Sequence, residues 1–159
     1  MIAPKVGDLA PDFALEGTGP DRIRRVYRLS EYRGRPVVLV TYPGDNTPVC
    51  TEQLNSYTTN VDQFEAVDAQ VLALNPADLA SHESFACSQG GFGFPLLADP
   101  DMAVGEQYGV VGPLGFYRRC VFVIDAEGRV AWLHRAVSGL GFRPVEELVA
   151  AVTATNATR

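Results

Sequence analysis

The sequence predicts an α/β fold: a central mixed sheet flanked by helices and preceded by an N-terminal β-hairpin extension. Three observations carry that expectation. Residues 37–41 are an unbroken apolar run of the kind found in strands buried on both faces. Leu54, Tyr57, Val61 and Phe64 then recur at helical spacing, and residues 71–74 form a second short apolar run, which makes a strand–helix–strand unit with a right-handed crossover. Late in the chain, residues 119–124 and 130–134 flank the turn residues 125–128, the pattern of an antiparallel hairpin.

The remaining elements follow in order. Extended segments at residues 12–15 and 25–29, parted by the Gly/Pro-rich residues 17–20, form the N-terminal hairpin, and residues 30–36 are a loop. The first helix runs to about residue 66. Ser81 caps the next helix, which runs to about residue 89 and ends at Gly90-Gly91. Residues 93–100 are an irregular connection, followed by a short helix over 102–108 and a Gly/Pro loop over 109–115. Val145, Leu148, Val149 and Val152 stripe a terminal helix with Pro144 near its start, and residues 153–159 fray. Strand–helix–strand, two helices, then two strands and a helix describes a thioredoxin-like core behind an added hairpin, in a single domain spanning 1–159, although the elements alone fit several α/β folds.

Composition narrows the function. At 159 residues, 47% hydrophobic and 20% charged, the chain has the makeup of a soluble globular protein. A net charge of −6 disfavours nucleic acid and anionic membranes as partners. The N-terminal residues lack the apolar core of a signal peptide, and no stretch approaches a membrane span. Three cysteines without a close pair make neither a disulfide framework nor a zinc site, and no Gly-rich phosphate loop stands in for a cofactor site. These features predict a cytoplasmic protein with reduced thiols and no metal or organic cofactor. The sequon at Asn156 is set aside for want of a secretory signal.

The chemistry concentrates at residues 42–50. Tyr42 and Pro43 end the apolar strand, Gly44, Asp45 and Asn46 supply a turn, Thr47 is a helix N-cap and Pro48 takes the first helical position. Cys50 therefore falls in the first turn, where the positive end of the helix dipole and uncommitted N–H groups stabilise a thiolate.

Pro43, Thr47 and Cys50 match the Pro-x-x-x-Thr-x-x-Cys signature of the peroxiredoxins (AhpC/TSA family). The wording YPGDNTPVCT is similar to the bacterioferritin-comigratory, PrxQ-like branch. VGDLAPDFAL, SHESFACSQGGFGFPLLADPD and GFYRRCVFVIDAEGRV extend the resemblance from about residue 5 to residue 152. It implies a thiol peroxidase acting on hydrogen peroxide and organic hydroperoxides and recycled by thioredoxin or another thiol, as monomer or homodimer. Cys50 would be the peroxidatic cysteine, oxidised to a sulfenic acid. Thr47 would orient peroxide, Pro43 would shield the sulfur, and Arg119, in the family's register ahead of Phe-Val-Ile-Asp, would supply the cation, with Arg118 on the surface. Glu52 resembles a supporting helix acid, or else merely complements the dipole. Many relatives carry a second cysteine five residues after the first, where this chain has Asn55. Cys87 on the following helix resembles an alternative resolving cysteine; otherwise an external thiol reduces Cys50. Cys120 is expected to be inert core, and His82 and His134 carry no catalytic role. The apolar loop at Gly112–Phe116 would flank the site. A redox sensor or binding module that oxidises at Cys50 without efficient turnover is the rival class.

Overall fold

The computed structural model describes residues 3–136 and 141–157. Among these, the strands β1 (Ala14–Thr18), β2 (Arg24–Arg28), β3 (Val37–Thr41), β4 (Gln70–Asn75), β5 (Leu96–Ala98), β6 (Cys120–Ile124) and β7 (Val130–Arg135) form one sheet in the order β2-β1-β5-β4-β3-β6-β7. β3 pairs parallel to β4 and β4 parallel to β5, whereas β6 runs antiparallel to β3 and β7 antiparallel to β6. The hairpin β1–β2 joins the sheet by antiparallel pairing of β1 with β5. This is the mixed sheet and added hairpin expected of a thioredoxin-like fold. β2 forms one margin, with Arg24, Arg25 and Val26 facing solvent.

β3 is apolar because it has neighbours on both sides and layers on both faces. Val38 and Val40 face a layer that includes Leu54, Tyr57, Phe64, Phe85, Leu148 and Val152. Val37 and Leu39 face the other, which includes Leu29, Val104, Tyr108 and Phe122. The first layer is contributed by α1 (Pro48–Thr59), α2 (Val61–Ala66), α3 (Leu79–Ser88) and α5 (Val145–Ala157), and the second receives α4 (Ala103–Tyr108). Each fully buried Val or Leu side chain contributes about 1.5–3 kcal/mol of transfer free energy.

Several elements differ from the sequence expectation. The helix after β3 breaks at Asn60, which caps the end of α1 and precedes α2. Asp78, not Ser81, caps α3: its side chain accepts from the Ser81 N–H at 2.8 Å. Residues 96–98 in the supposed irregular connection are strand β5, too short to signal itself by alternation. Leu29–Tyr32 is a 3-10 turn where a loop was expected, and the hairpin strands sit closer to their turn. Residues 153–157 are helical because Thr155 and its neighbours remain packed on the body; Thr158 and Arg159 lie outside the described residues.

Candidate active site

Cys50 is the third residue of α1, fully buried at the C-terminal end of β3. Pro48 opens the helix at a position whose N–H would have no partner one turn back, and Thr47 supplies the extended backbone of an N-cap (φ −82, ψ 148). The Thr47 carbonyl accepts the first helical bond, from the Thr51 N–H at 2.9 Å. The Thr47 hydroxyl does not cap the helix as expected; Thr47 is exposed and its hydroxyl donates to the Gly44 carbonyl at 3.4 Å. Pro43 is half-buried in the turn between β3 and α1.

Arg119 arrives from the other side of β3. Side chains alternate along β6, so Val121 and Val123 join the layer containing Cys50 while Cys120, Phe122 and Ile124 join the opposite layer. Arg119, one residue before Cys120, therefore faces Cys50. Its Nη2 donates to Cys50 Sγ at 3.3 Å, although the residue is only 4% exposed. Arg118 is exposed, as expected of the alternate residue.

What holds the guanidinium is a residue the sequence reading passed over. Gln53 follows Cys50 by three positions, on the same face of α1, and is fully buried. Its Oε1 accepts from Arg119 Nη1 at 2.5 Å, and its Nε2 donates to the Tyr57 hydroxyl at 3.2 Å. That hydroxyl donates in turn to the Arg143 carbonyl at 2.8 Å. Burial pushes the Tyr57 phenol up to about 12, with the Gln53 bond and Arg119 opposing, so the group stays a donor. Glu52, the expected supporting acid, points to solvent and is no part of this chain. The available signal was an amide inside an apolar stripe, which must be satisfied once buried.

The remaining expectations are revised or located. His82, given no catalytic role from the sequence, is fully buried and bonds Asp45 and the Leu97 carbonyl. Asp45 lies in the turn leading to Cys50, so a residue 37 positions away helps build this turn. His134 stacks beside Trp132 on β7. Cys120 is fully buried, and burial pushes its thiol up, with Arg135 only lessening the rise. Cys87 is exposed near the end of α3, on a cleft of about 240 Å³ that Thr18, Phe92 and Phe94 also line. Asn55 Nδ2 donates at 2.9 Å to Gln89 Oε1, tying α1 to the end of α3. Leu114 and Phe116, in the apolar loop, are exposed.

Among the described residues, no group of three or more His, Cys, Asp or Glu side chains is disposed to hold a metal ion, and no helix is long and apolar enough to cross a membrane. The arrangement is a buried thiol at a helix start, with a guanidinium aligned on the sulfur.

Comparison with known proteins agrees with this chemistry. The chain is 37% identical over 134 residues to "Peroxiredoxin 2" of Caldanaerobacter subterraneus, an alignment covering 79% of this chain and 58% of that protein. It is 33% identical over 130 residues to the chloroplastic Peroxiredoxin Q of Oryza sativa subsp. japonica, covering 80% of this chain and 58% of the relative. Each alignment thus spans less than two thirds of the curated relative. The crystal structure of Plasmodium vivax 2-Cys peroxiredoxin in its reduced form superposes with a TM-score of 0.89 over 96% of this chain and 82% of the other, at 24% identity, a likeness of fold. The sequence model of the AhpC/TSA family matches residues 6–133, so this chain belongs to the AhpC/TSA family and is a peroxiredoxin.

Proposed function

We propose that the protein is a thiol peroxidase in which Cys50 reduces hydrogen peroxide and organic hydroperoxides. The observation that carries this reading is the 3.3 Å contact from Arg119 Nη2 to Cys50 Sγ at the first turn of α1. The Cys50 thiolate attacks the terminal peroxide oxygen, the O–O bond breaks, and water or an alcohol leaves after protonation, while Cys50 becomes a sulfenic acid. Arg119 and the first-turn N–H groups stabilise charge as it moves from sulfur to the leaving oxygen. Gln53 holds the guanidinium through a neutral amide. Thr47 and Pro43 orient the peroxide and cover the sulfur in this scheme.

Recycling needs a second thiol. Cys87 is the internal candidate: its thiolate attacks the sulfenic sulfur, hydroxide leaves as water, and a Cys50–Cys87 disulfide forms for thioredoxin or another dithiol to reduce. Reaching Cys50 requires the end of α3 to unwind, which breaks the Asn55–Gln89 tie. The exposed position of Cys87 equally suits a one-cysteine cycle, in which an external thiol reduces Cys50. Three free thiols fit a reducing compartment, the cytoplasm. The alternative of a redox sensor is disfavoured by the aligned Arg119, since a sensor needs no peroxide-orienting guanidinium.

The test is intact mass with peptide mapping after one equivalent of hydrogen peroxide. A Cys50–Cys87 disulfide establishes the two-cysteine cycle, and a dimedone-trapped sulfenic acid on Cys50 with Cys87 free establishes the one-cysteine cycle. An unmodified Cys50 refutes the assignment. Turnover with a recycling thiol separates enzyme from sensor, and comparison of hydrogen peroxide with cumene hydroperoxide reads the substrate range.

A further inference from the structure

Asp45 lies in the turn between β3 and α1, yet its side chain is 3% exposed. Its Oδ1 accepts from the Tyr42 hydroxyl at 2.9 Å and from Asn75 Nδ2 at 3.1 Å. Its Oδ2 accepts from the Ser81 hydroxyl at 2.7 Å and from His82 Nδ1 at 2.8 Å. Four donors fill the acceptor sites of an ionised carboxylate. His82 Nε2 in turn lies 2.9 Å from the Leu97 carbonyl. Both ring nitrogens therefore face oxygens that accept, so the ring is placed to donate from both. Burial pushes the Asp45 carboxyl up, but the His82 hydrogen bond and charge, with the Ser81 and Tyr42 bonds, outweigh it and hold the group below the usual carboxylate range.

A buried ion pair is a poor source of net stability, because desolvation offsets most of its attraction; what it fixes well is geometry. Here it fixes the stretch that aims the site. Tyr42 closes β3, Asn75 ends β4, and Ser81 and His82 lie in the first half of α3, so Asp45 ties the turn to three elements. Asn46, immediately after it, has φ +63 and turns the chain outward, so that Thr47 emerges in the extended N-cap conformation. The Thr47 hydroxyl bond to Gly44, at 3.4 Å, is too long to hold the turn firmly.

We infer that Asp45, with His82 as its buried counter-ion, is a positioning residue for the peroxide step. It sets the turn at residues 43–47 so that Pro43, Thr47 and the first-turn N–H groups of α1 converge on Cys50; this rests on Cys50 being the peroxide-reactive thiol.

The experiment compares single-turnover rate constants of Cys50 with hydrogen peroxide and, separately, with iodoacetamide. It uses the full chain and its Asp45→Asn, Asp45→Glu and His82→Gln variants, each well below its Tm. Alkylation requires an accessible thiolate but no aligned O–O bond. Asp45→Asn and His82→Gln are expected to lower the peroxide constant about 10- to 100-fold while the iodoacetamide constant stays within about twofold. Asp45→Glu, which keeps the charge beside His82, restores most of the peroxide rate. Wild-type peroxide constants in both neutralised variants overturn the inference. So does a peroxide loss matched by faster alkylation, since that reports an opened pocket and a merely structural pair. Should Asp45→Asn not fold, His82→Gln decides the matter by the same two constants. A wild-type Cys50 that peroxide leaves unoxidised refutes the peroxidase reading itself and this inference with it, a result visible before any variant is made.

Discussion

Cys50 and Cys120 are both fully buried against the same pair of central strands, one on each face, and each has an arginine close by. Their environments differ in what else surrounds the sulfur, since Arg135 also hydrogen-bonds Cys120 while burial still pushes that thiol up. Arg119 directs Nη2 at Cys50 and Nη1 at Gln53. Arg135, beside Cys120, donates to the carbonyls of Gly109 at 3.0 Å and Tyr108 at 3.2 Å, and lies over the Phe122 ring at 5.4 Å. Cys50 also occupies a helix start, whereas Cys120 is in mid-sheet with its N–H bonded to the Thr41 hydroxyl at 3.1 Å. A nearby cation is therefore not enough. Reactivity follows from a cation that places a donor on the sulfur together with the backbone donors of a helix start.

The sharpest way to break this contrast is to exchange the two thiols for hydroxyls. Cys50→Ser is expected to lower peroxide consumption by at least about a thousandfold, the scale of removing a nucleophile. Cys120→Ser should leave the rate within about twofold and lower stability by roughly 1 kcal/mol, read from chemical denaturation. If the Cys120 variant loses peroxidase activity and the Cys50 variant keeps it, the two faces have been assigned the wrong way round.

Removing the aligned cation comes next. Arg119→Ala is expected to slow Cys50 oxidation by about 100- to 1,000-fold, as for loss of a principal transition-state donor. Arg119→Lys should fall between, because an ammonium keeps the charge but not the fork that serves Cys50 and Gln53 together. Stopped-flow oxidation kinetics measure both. A smaller effect, roughly tenfold, is expected for Gln53→Ala, which leaves Arg119 present but loosely aimed. Unchanged kinetics in that variant would assign the orientation of Arg119 to other contacts.

The Cys50 side of this contrast was largely legible in the sequence and its supports were not. Pro48 and Thr47 announce a helix start that places Cys50 in its first turn, and alternation along an apolar strand puts Arg119 and Cys120 on opposite faces, while the choice of Arg119 over Arg118 came from the resemblance to the family. Gln53 was obscured because the stripe of α1 was read by its apolar members alone, and an acid next to it, Glu52, drew the role. The Asp45–His82 pair has no local signature, since its partners meet only when the turn after β3 packs on the first half of α3. β5 was missed for a related reason: three residues show no period, and they become a strand through pairing with β1 and β4.

Acid provides the mildest perturbation. The Asp45 carboxyl is held below the usual carboxylate range, so the stability it contributes is present above that range and is lost as pH falls through the lower native value. Denaturation midpoints between neutral pH and strong acid should therefore drop more steeply in the wild type than in Asp45→Asn. The groups facing this carboxylate are Tyr42, Asn75, Ser81 and His82. Parallel acid limbs in the two proteins would show that the pair does not govern the drop.

The hairpin at the sheet's margin bears on how the protein survives its own chemistry. A peroxidase works where oxidants accumulate, and any cycle that unwinds a helix leaves the sheet less covered for a time. An open strand edge is then a template on which a second molecule could add its own strand. β2 occupies that margin with Arg24, Arg25 and Arg28 along its five residues, Arg24 paired with Glu83 and Arg25 with Asp21, so an incoming strand would meet charged side chains in place of an apolar edge. The hairpin thus works as a fender: a short, charged outer strand is a poor template for a second chain.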